Sequence, residues 1–324
     1  LDISPEDLHS TRFAYSPLLE LSASYKVVKS DENEPYLNRW VEAAAEALRD
    51  QELPYLETLI PPHGYIPDFM TPTPTRTDLT FEAELQKLLN TPTRIIQDNI
   101  QALMDMDGET ETRMQYMTYP REMLLCLVED LRIYWQRAIE PHWSQLSSIL
   151  EGDILYRARQ LAIEGATKVY ADLSPRLVLD HYQIQITKDD YKKHHSARHD
   201  ISGRGLQLVP TAFMSCKIWW QVTPEWLPML IYGARGIGQW QQQAPVQNQS
   251  LELLMGAGRA SVLLALDTPA STSELAHRLM MTAGAVSQHL DRLHKTGLVE
   301  PHRSGKRVYY HLSQRGQQLL TLFA

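Results

Sequence analysis

An α+β protein in two parts is what the sequence predicts, and three observations carry that expectation. Apolar residues recur at helical spacing through the first half of the 324 residues, and after Ser174 they alternate instead with polar ones. A Gln-rich interval, residues 239–249, then separates a first part, residues 1–238, from a second, residues 250–324. Helices that precede strands, rather than interleave with them, favour α+β over a doubly wound sheet. A chain of this length also suits about two domains, each with its own core.

The elements follow in order. Tyr36, Leu37, Trp40, Val41, Ala44 and Leu48 share one helical face, as do Phe81, Leu85, Leu88 and Leu89. The stretch between them, residues 53–75, is dense in proline and is expected to be extended rather than helical. Pro120 and Pro141 suit the first turns of two successive helices, 120–140 and 141–150, with a further helix over 153–170. Tyr182, Ile184 and Ile186, then Leu206 and Leu208, then Ile218, Trp220 and Val222 alternate as strands of a half-buried sheet would. Gly233, Gly236 and Gly238 lack the strand and helix that flank a phosphate loop, so they are read as a turn. Gln239–Gln249, broken by Pro245, offers no periodic apolar face and reads as a linker.

Composition narrows the function classes. With 43% hydrophobic residues, disorder is excluded as the dominant state. Two cysteines, Cys126 and Cys216, cannot build a disulfide scaffold and point to a reducing compartment. Cys126 lies in the apolar run MLLCLV and is expected to be a buried, inert thiol. The longest apolar runs fall far short of the roughly 20 residues that span a bilayer. The start, LDISPEDLHS, has no signal-peptide pattern, so a cytoplasmic location without membrane contact is expected. The net charge of −8 argues against nucleic acid only until it is divided. Residues 245–324 hold eight Lys/Arg against five Asp/Glu, a net of +3 that leaves −11 for the rest. Such asymmetry is expected when one domain alone meets a polyanion.

Residues 271–312 carry the most information. Ser271 and Glu274 form a capping box opening the helix STSELAHRLM, with Leu275, Ala276 and Leu279 on one face. Met280 and Met281 make a short turn, and Thr282 is placed to cap a second helix, AGAVSQHLDRLHK, whose Val286, Leu290 and Leu293 point inward. Gly297 marks its end. The buried stripe leaves Ala283, Gly284, Ser287, Gln288 and Asp291 on or near the exposed face, where short polar groups reach base edges and Gln pairs with adenine. EPHRSGKRVYYHL then reads as a hairpin, Val308, Tyr310 and Leu312 alternating, with Arg303, Lys306 and Arg307 at its tip to meet phosphate.

This run, SELAHRL to RVYYHL, resembles the winged helix-turn-helix of ArsR-type bacterial transcriptional regulators over residues 250–324. The resemblance implies a homodimeric repressor or activator that binds double-stranded DNA at a pseudo-palindromic operator. The expected DNA-facing set is Thr282, Ala283, Gly284, Ser287, Gln288, His289 and Arg292 of the second helix with Arg303, Lys306 and Arg307 of the wing. Metal-sensing members have a Cys-x-Cys at the helix before the turn. TPASTSELA has no cysteine there, so the thiolates for a soft metal are missing and a non-metal signal is expected. The first part is similar to an uncharacterised domain that accompanies such modules, on the runs FAYSPLLE, IPDFMTPTP, LVP and IYGARG.

Leu251, Leu253 and Leu254 before the motif, and Leu319, Leu320, Leu322 and Phe323 after it, are left to pair two chains. The first part, rich in Trp, Tyr and Met, could line a cavity for a small-molecule effector. The alternative is a metal-dependent sensor or enzyme built on His181, His194, His195 and His199 within residues 181–199, although KDDYKKHHSARHD reads as a solvated, charged loop without a third ligand. No nucleophile–base motif is present, so no enzyme and no cofactor are expected.

Overall fold

A computed structural model describes residues 1–30, 37–186, 198–214, 217–237, 247–267, 270–279, 281–304 and 307–322. The chain divides into two compact units, Leu1–Ala234 and Arg235–Ala324.

In the first unit the helices come first. After α1 (Pro5–His9) and the two-residue β1 (Arg12–Phe13) comes α2 (Pro17–Lys29), followed by α3 (Asn38–Ala47) and the single turn α4 (Pro54–Glu57). Then follow α5 (Phe81–Leu89), α6 (Thr93–Asp107), α7 (Glu111–Thr118), α8 (Pro120–Tyr134), α9 (Trp143–Glu164) and α10 (Ala166–Leu173). The two early helices fall where the periodicity placed them. The proline-dense stretch is not extended throughout, since α4 and a 3-10 turn at Asp68–Met70 interrupt it. Pro54 opens α4, where a missing N–H is harmless, and the Asp130 carboxylate accepts the N–H groups of Tyr55 and Leu56 at 2.8 and 3.0 Å.

The expected break between residues 150 and 153 is also absent. α9 runs on to Glu164 because Leu146, Leu150, Asp153, Arg157 and Gln160 keep one face buried. The break lies instead at Gly165, whose φ of 82° side chains rarely adopt. Pro141 sits in a 3-10 turn, Glu140–His142, that follows a π turn, Trp135–Ile139, and leads into α9. Cys126, on α8, is half-buried rather than enclosed.

The strands are β2 (Leu177–Asp180), β3 (Gln183–Ile186), β4 (Gln207–Thr211), β5 (Ile218–Gln221) and β6 (Met229–Gly233). β2 and β3 form a hairpin, and the rest form one sheet in the order β1-β4-β6-β5. β1, β4 and β6 are parallel and β5 is antiparallel to β6. The central strands are not half-buried, as alternation predicts: every residue of β4 and β6 is buried. Leu208, Leu230 and Tyr232 join one apolar cluster with Val169, Tyr170 and Leu173 of α10. Val209, Met229 and Ile231 join another with Leu19 of α2. Covered on both faces, β6 is a continuous apolar run, MLIYG, which alternation does not detect.

The second unit holds α11 (Gln247–Met255), α12 (Ala257–Leu264), β7 (Ala270–Ser271), α13 (Thr272–Arg278), α14 (Ala283–Lys295), β8 (Val299–Ser304), β9 (Arg307–Leu312) and α15 (Gln314–Leu322). The last three linker positions, 247–249, are the first turn of α11, because glutamine is a good helix former and the apolar 251–254 follow directly. β7, β9 and β8 form an antiparallel sheet in that order. Gly316 in α15 is a forced glycine, since a Cβ there would lie 2.2 Å from the Leu298 carbonyl oxygen.

Candidate nucleic-acid interface

α13 and α14 are set by local chemistry the sequence displays. The capping box forms, the Ser271 N–H meeting Glu274 Oε2 at 2.7 Å and the Glu274 N–H meeting Ser271 Oγ at 3.3 Å. Thr282 Oγ1 accepts the Ala285 N–H at 3.2 Å and opens α14. At the other end Gly297, with φ 71°, closes a Schellman motif: its N–H reaches His294 O at 2.8 Å, and the Leu298 N–H reaches Leu293 O at 2.9 Å.

The inner face of α14, Val286, Leu290 and Leu293, is buried with Val262 and Leu263 of α12, Ala270, Leu275 of α13 and Val299. This core sets the rotation of α14 about its axis. Thr282, Ala283, Gly284, Ser287, Gln288 and Arg292 are all exposed on the side it leaves free. A Cβ at Gly284 would meet nothing within 4 Å, so the start of the helix is bare. Asp291, the acid on this helix, is paired with Lys295 at 2.7 Å, which reduces its repulsion toward a polyanion.

His289 does not belong with this set. It is half-buried, and its Nε2 lies 2.7 Å from where a Gly258 Cβ would stand, so the ring packs on α12. Its 3.6-residue spacing turns it between the inner and outer faces, which a count of buried positions does not resolve. Burial, then the charges of Arg259 and Arg292, lowers its pKa. Its ring packs between α14 and α12.

Arg303 is exposed on β8, and β8 and β9 are paired out to Ser304 opposite Arg307. Lys306 lies outside the described residues, and of Arg307 only the backbone is described. The hairpin thus brings Arg303 and the backbone of Arg307 to its end.

The leucines expected to pair two chains divide. Leu251 is buried, and Leu319 and Leu320 pack on the core of the unit, so none of the three is spare. Leu253, Leu254 and Leu322 are 87%, 63% and 79% exposed. Phe323 lies outside the described residues.

Of the histidine alternative, His194 and His195 lie outside the described residues. His181 is exposed in the β2–β3 turn beside Asp180, and the His199 carbonyl accepts the Asp2 N–H at 2.8 Å. Among the described residues no three His, Cys, Asp or Glu side chains converge as a metal site would require, and no helix is long and apolar enough to cross a membrane.

Two capped helices, a shared core beneath the second and an exposed outer face are the arrangement of a helix-turn-helix. Residues 259–300 match the family of bacterial regulatory proteins called the arsR family, from α12 to the start of β8. The chain therefore carries an ArsR-family helix-turn-helix domain, the DNA-binding part of a transcriptional regulator. No curated protein and no solved structure matches the chain.

Proposed function

We propose that the protein is an ArsR-type transcriptional regulator that reads DNA with α14, grips phosphate with the β8–β9 hairpin as a wing, and answers to a non-metal signal through its first unit. The observation that carries this is the bare face of α14, with Ser287 and Gln288 exposed beyond small residues at Ala283 and Gly284. Small residues let the helix approach a groove closely, and a glutamine amide can bond adenine through N6 and N7. Replacing Gln288 with Ala is expected to weaken the specific site by about 1–3 kcal/mol and random DNA hardly at all. Gel-shift titrations on both sequences at one salt concentration test this. An equal loss on both would remove Gln288 from base reading.

Homodimerisation is part of the same reading, resting on Leu253, Leu254 and Leu322. Two linked modules gain affinity through effective concentration, and two-fold symmetry sets half-sites about 34–36 Å apart. Sedimentation of the full chain is expected to show a dimer that the double change Leu253→Glu, Leu254→Glu converts to a monomer with much weaker operator binding. A wild-type monomer that binds the operator with full affinity would exclude the dimer.

A further inference from the structure

The first unit holds a half-open cavity of about 210 Å³ between α2, the stretch around residues 64–71 and strands β5 and β6. That is more than the roughly 150 Å³ that accommodates benzene and less than the roughly 300 Å³ where drug-sized pockets begin. It suits one ring with a small polar substituent.

The walls set the chemistry. Leu19 and Ala23 of α2 are apolar, and Trp219 of β5, on the sheet face that packs against α2, presents aromatic surface. Two donors stand among them. Lys26 is half-buried, its Nζ 5.7 Å from the centre of the Trp219 ring, and it donates to main-chain oxygens of Gly64 at 2.8 Å and Pro61 at 3.4 Å rather than to a carboxylate. An ammonium has three N–H groups, so one remains beyond these two acceptors. Gln221 is 5% exposed; its Oε1 accepts from Thr71 Oγ1 at 3.4 Å, while its Nε2 is buried with no hydrogen-bond partner among the described residues. A buried unsatisfied donor is destabilising, and an acceptor arriving in the cavity relieves it. Asp68, the acid in the wall, is hydrogen-bonded to the Tyr65 side chain, and burial raises its carboxyl pKa.

We propose that this cavity binds a small aromatic carboxylate, its ring against Trp219 and its carboxylate on Lys26 Nζ and Gln221 Nε2. A carboxylate supplies acceptors to both donors at once and a counter-charge to Lys26, while the ring replaces water on the apolar walls. That such a ligand is the effector rests on the regulatory reading above. Its binding does not, and it is measured on the protein without DNA.

The experiment is a thermal-shift and tryptophan-fluorescence titration of the full chain with benzoate, phenylacetate and indole-3-acetate, beside the uncharged benzamide. At least one carboxylate is expected to raise the melting temperature and perturb the fluorescence saturably below roughly 5 mM. Benzamide is expected to bind at least about tenfold more weakly than benzoate. Lys26→Met is expected to lose about tenfold or more in carboxylate affinity. Gln221→Glu, which sets an acid where the amide stands, is expected to abolish binding and serves if the Lys26 variant does not fold. No response to any carboxylate, or equal affinity for benzamide or for the variants, overturns the proposal. Gel shifts with saturating ligand then ask separately whether occupancy changes DNA affinity. A bound carboxylate with no effect on DNA would leave the site standing and refute its role as effector.

Discussion

Replacing Arg157 with Met is expected to destabilise the first unit by about 3–5 kcal/mol, because it leaves a buried carboxylate without its cation. Arg157 and Asp153 are both fully buried on α9, with Nε 3.2 Å from Oδ2. The same oxygen accepts the Tyr232 hydroxyl of β6 at 2.7 Å, and the guanidinium lies over the Tyr232 ring, 4.8 Å from its centre. The other guanidinium arm reaches Asp172 Oδ2 at 3.3 Å. A helix, a helix end and a central strand therefore meet at one ion pair. Denaturant unfolding that shifts the midpoint without changing the slope measures the loss. The triple change Asp153→Leu, Arg157→Met, Tyr232→Phe removes the buried charges and the hydroxyl together and is expected to recover most of it, because the carboxylate that then loses its arginine, Asp172, is 34% exposed. A loss below about 1 kcal/mol for Arg157→Met would mean that water reaches Asp153.

Two buried glutamates are expected to make the first unit less stable as the pH rises. Glu84 of α5 receives the Leu18 N–H and the Ser16 hydroxyl, each at 2.8 Å, where α2 begins. Glu20 of α2 takes the Ala212 N–H at 3.0 Å, and its other oxygen is buried without a partner among the described residues. Burial is the largest influence on each and pushes each from 4.5 up to about 7. The folded state therefore holds a proton that the unfolded chain has released. The sign follows: stability is full below about pH 4.5, falls through the interval, and levels off above about pH 7. For each group the fall is about 3 kcal/mol. Glu84→Gln removes its share of that slope, so relative to wild type the variant is expected to gain about 3 kcal/mol between about pH 4 and pH 8. A stability difference that does not change with pH would show that the Glu84 carboxyl titrates as an ordinary surface acid.

What could be read directly from the residues is what nearest neighbours decide. Ser271 with Glu274, Thr282, Gly297 and the stripe Val286, Leu290, Leu293 specify two capped helices and the rotation of the second, because caps and apolar faces act within a turn or two of chain. That local information was enough to expose Ser287 and Gln288 and to expect an ArsR-type helix-turn-helix. That His289 is only half-exposed was not legible, because its environment is a glycine on another helix, Gly258. Leu319 and Leu320 were left for a second chain because amphipathic spacing does not say which apolar surface they cover.

In the first unit the balance is reversed. Helical spacing located α3 and α5, but the continuation of α9 through residue 153 follows from Arg157 and Asp153 finding Tyr232, separated from Asp153 by 79 positions. Burial of β4 and β6 on both faces follows from α2 and α10 covering a sheet whose strands come from both ends of the unit. The cavity needs Lys26 and Gln221, far apart in the chain and unremarkable in it, to line the same wall space. Caps and stripes are encoded where they act. A ligand pocket and a two-sided sheet exist only once long-range burial has brought distant residues together, so only the tertiary structure decides them.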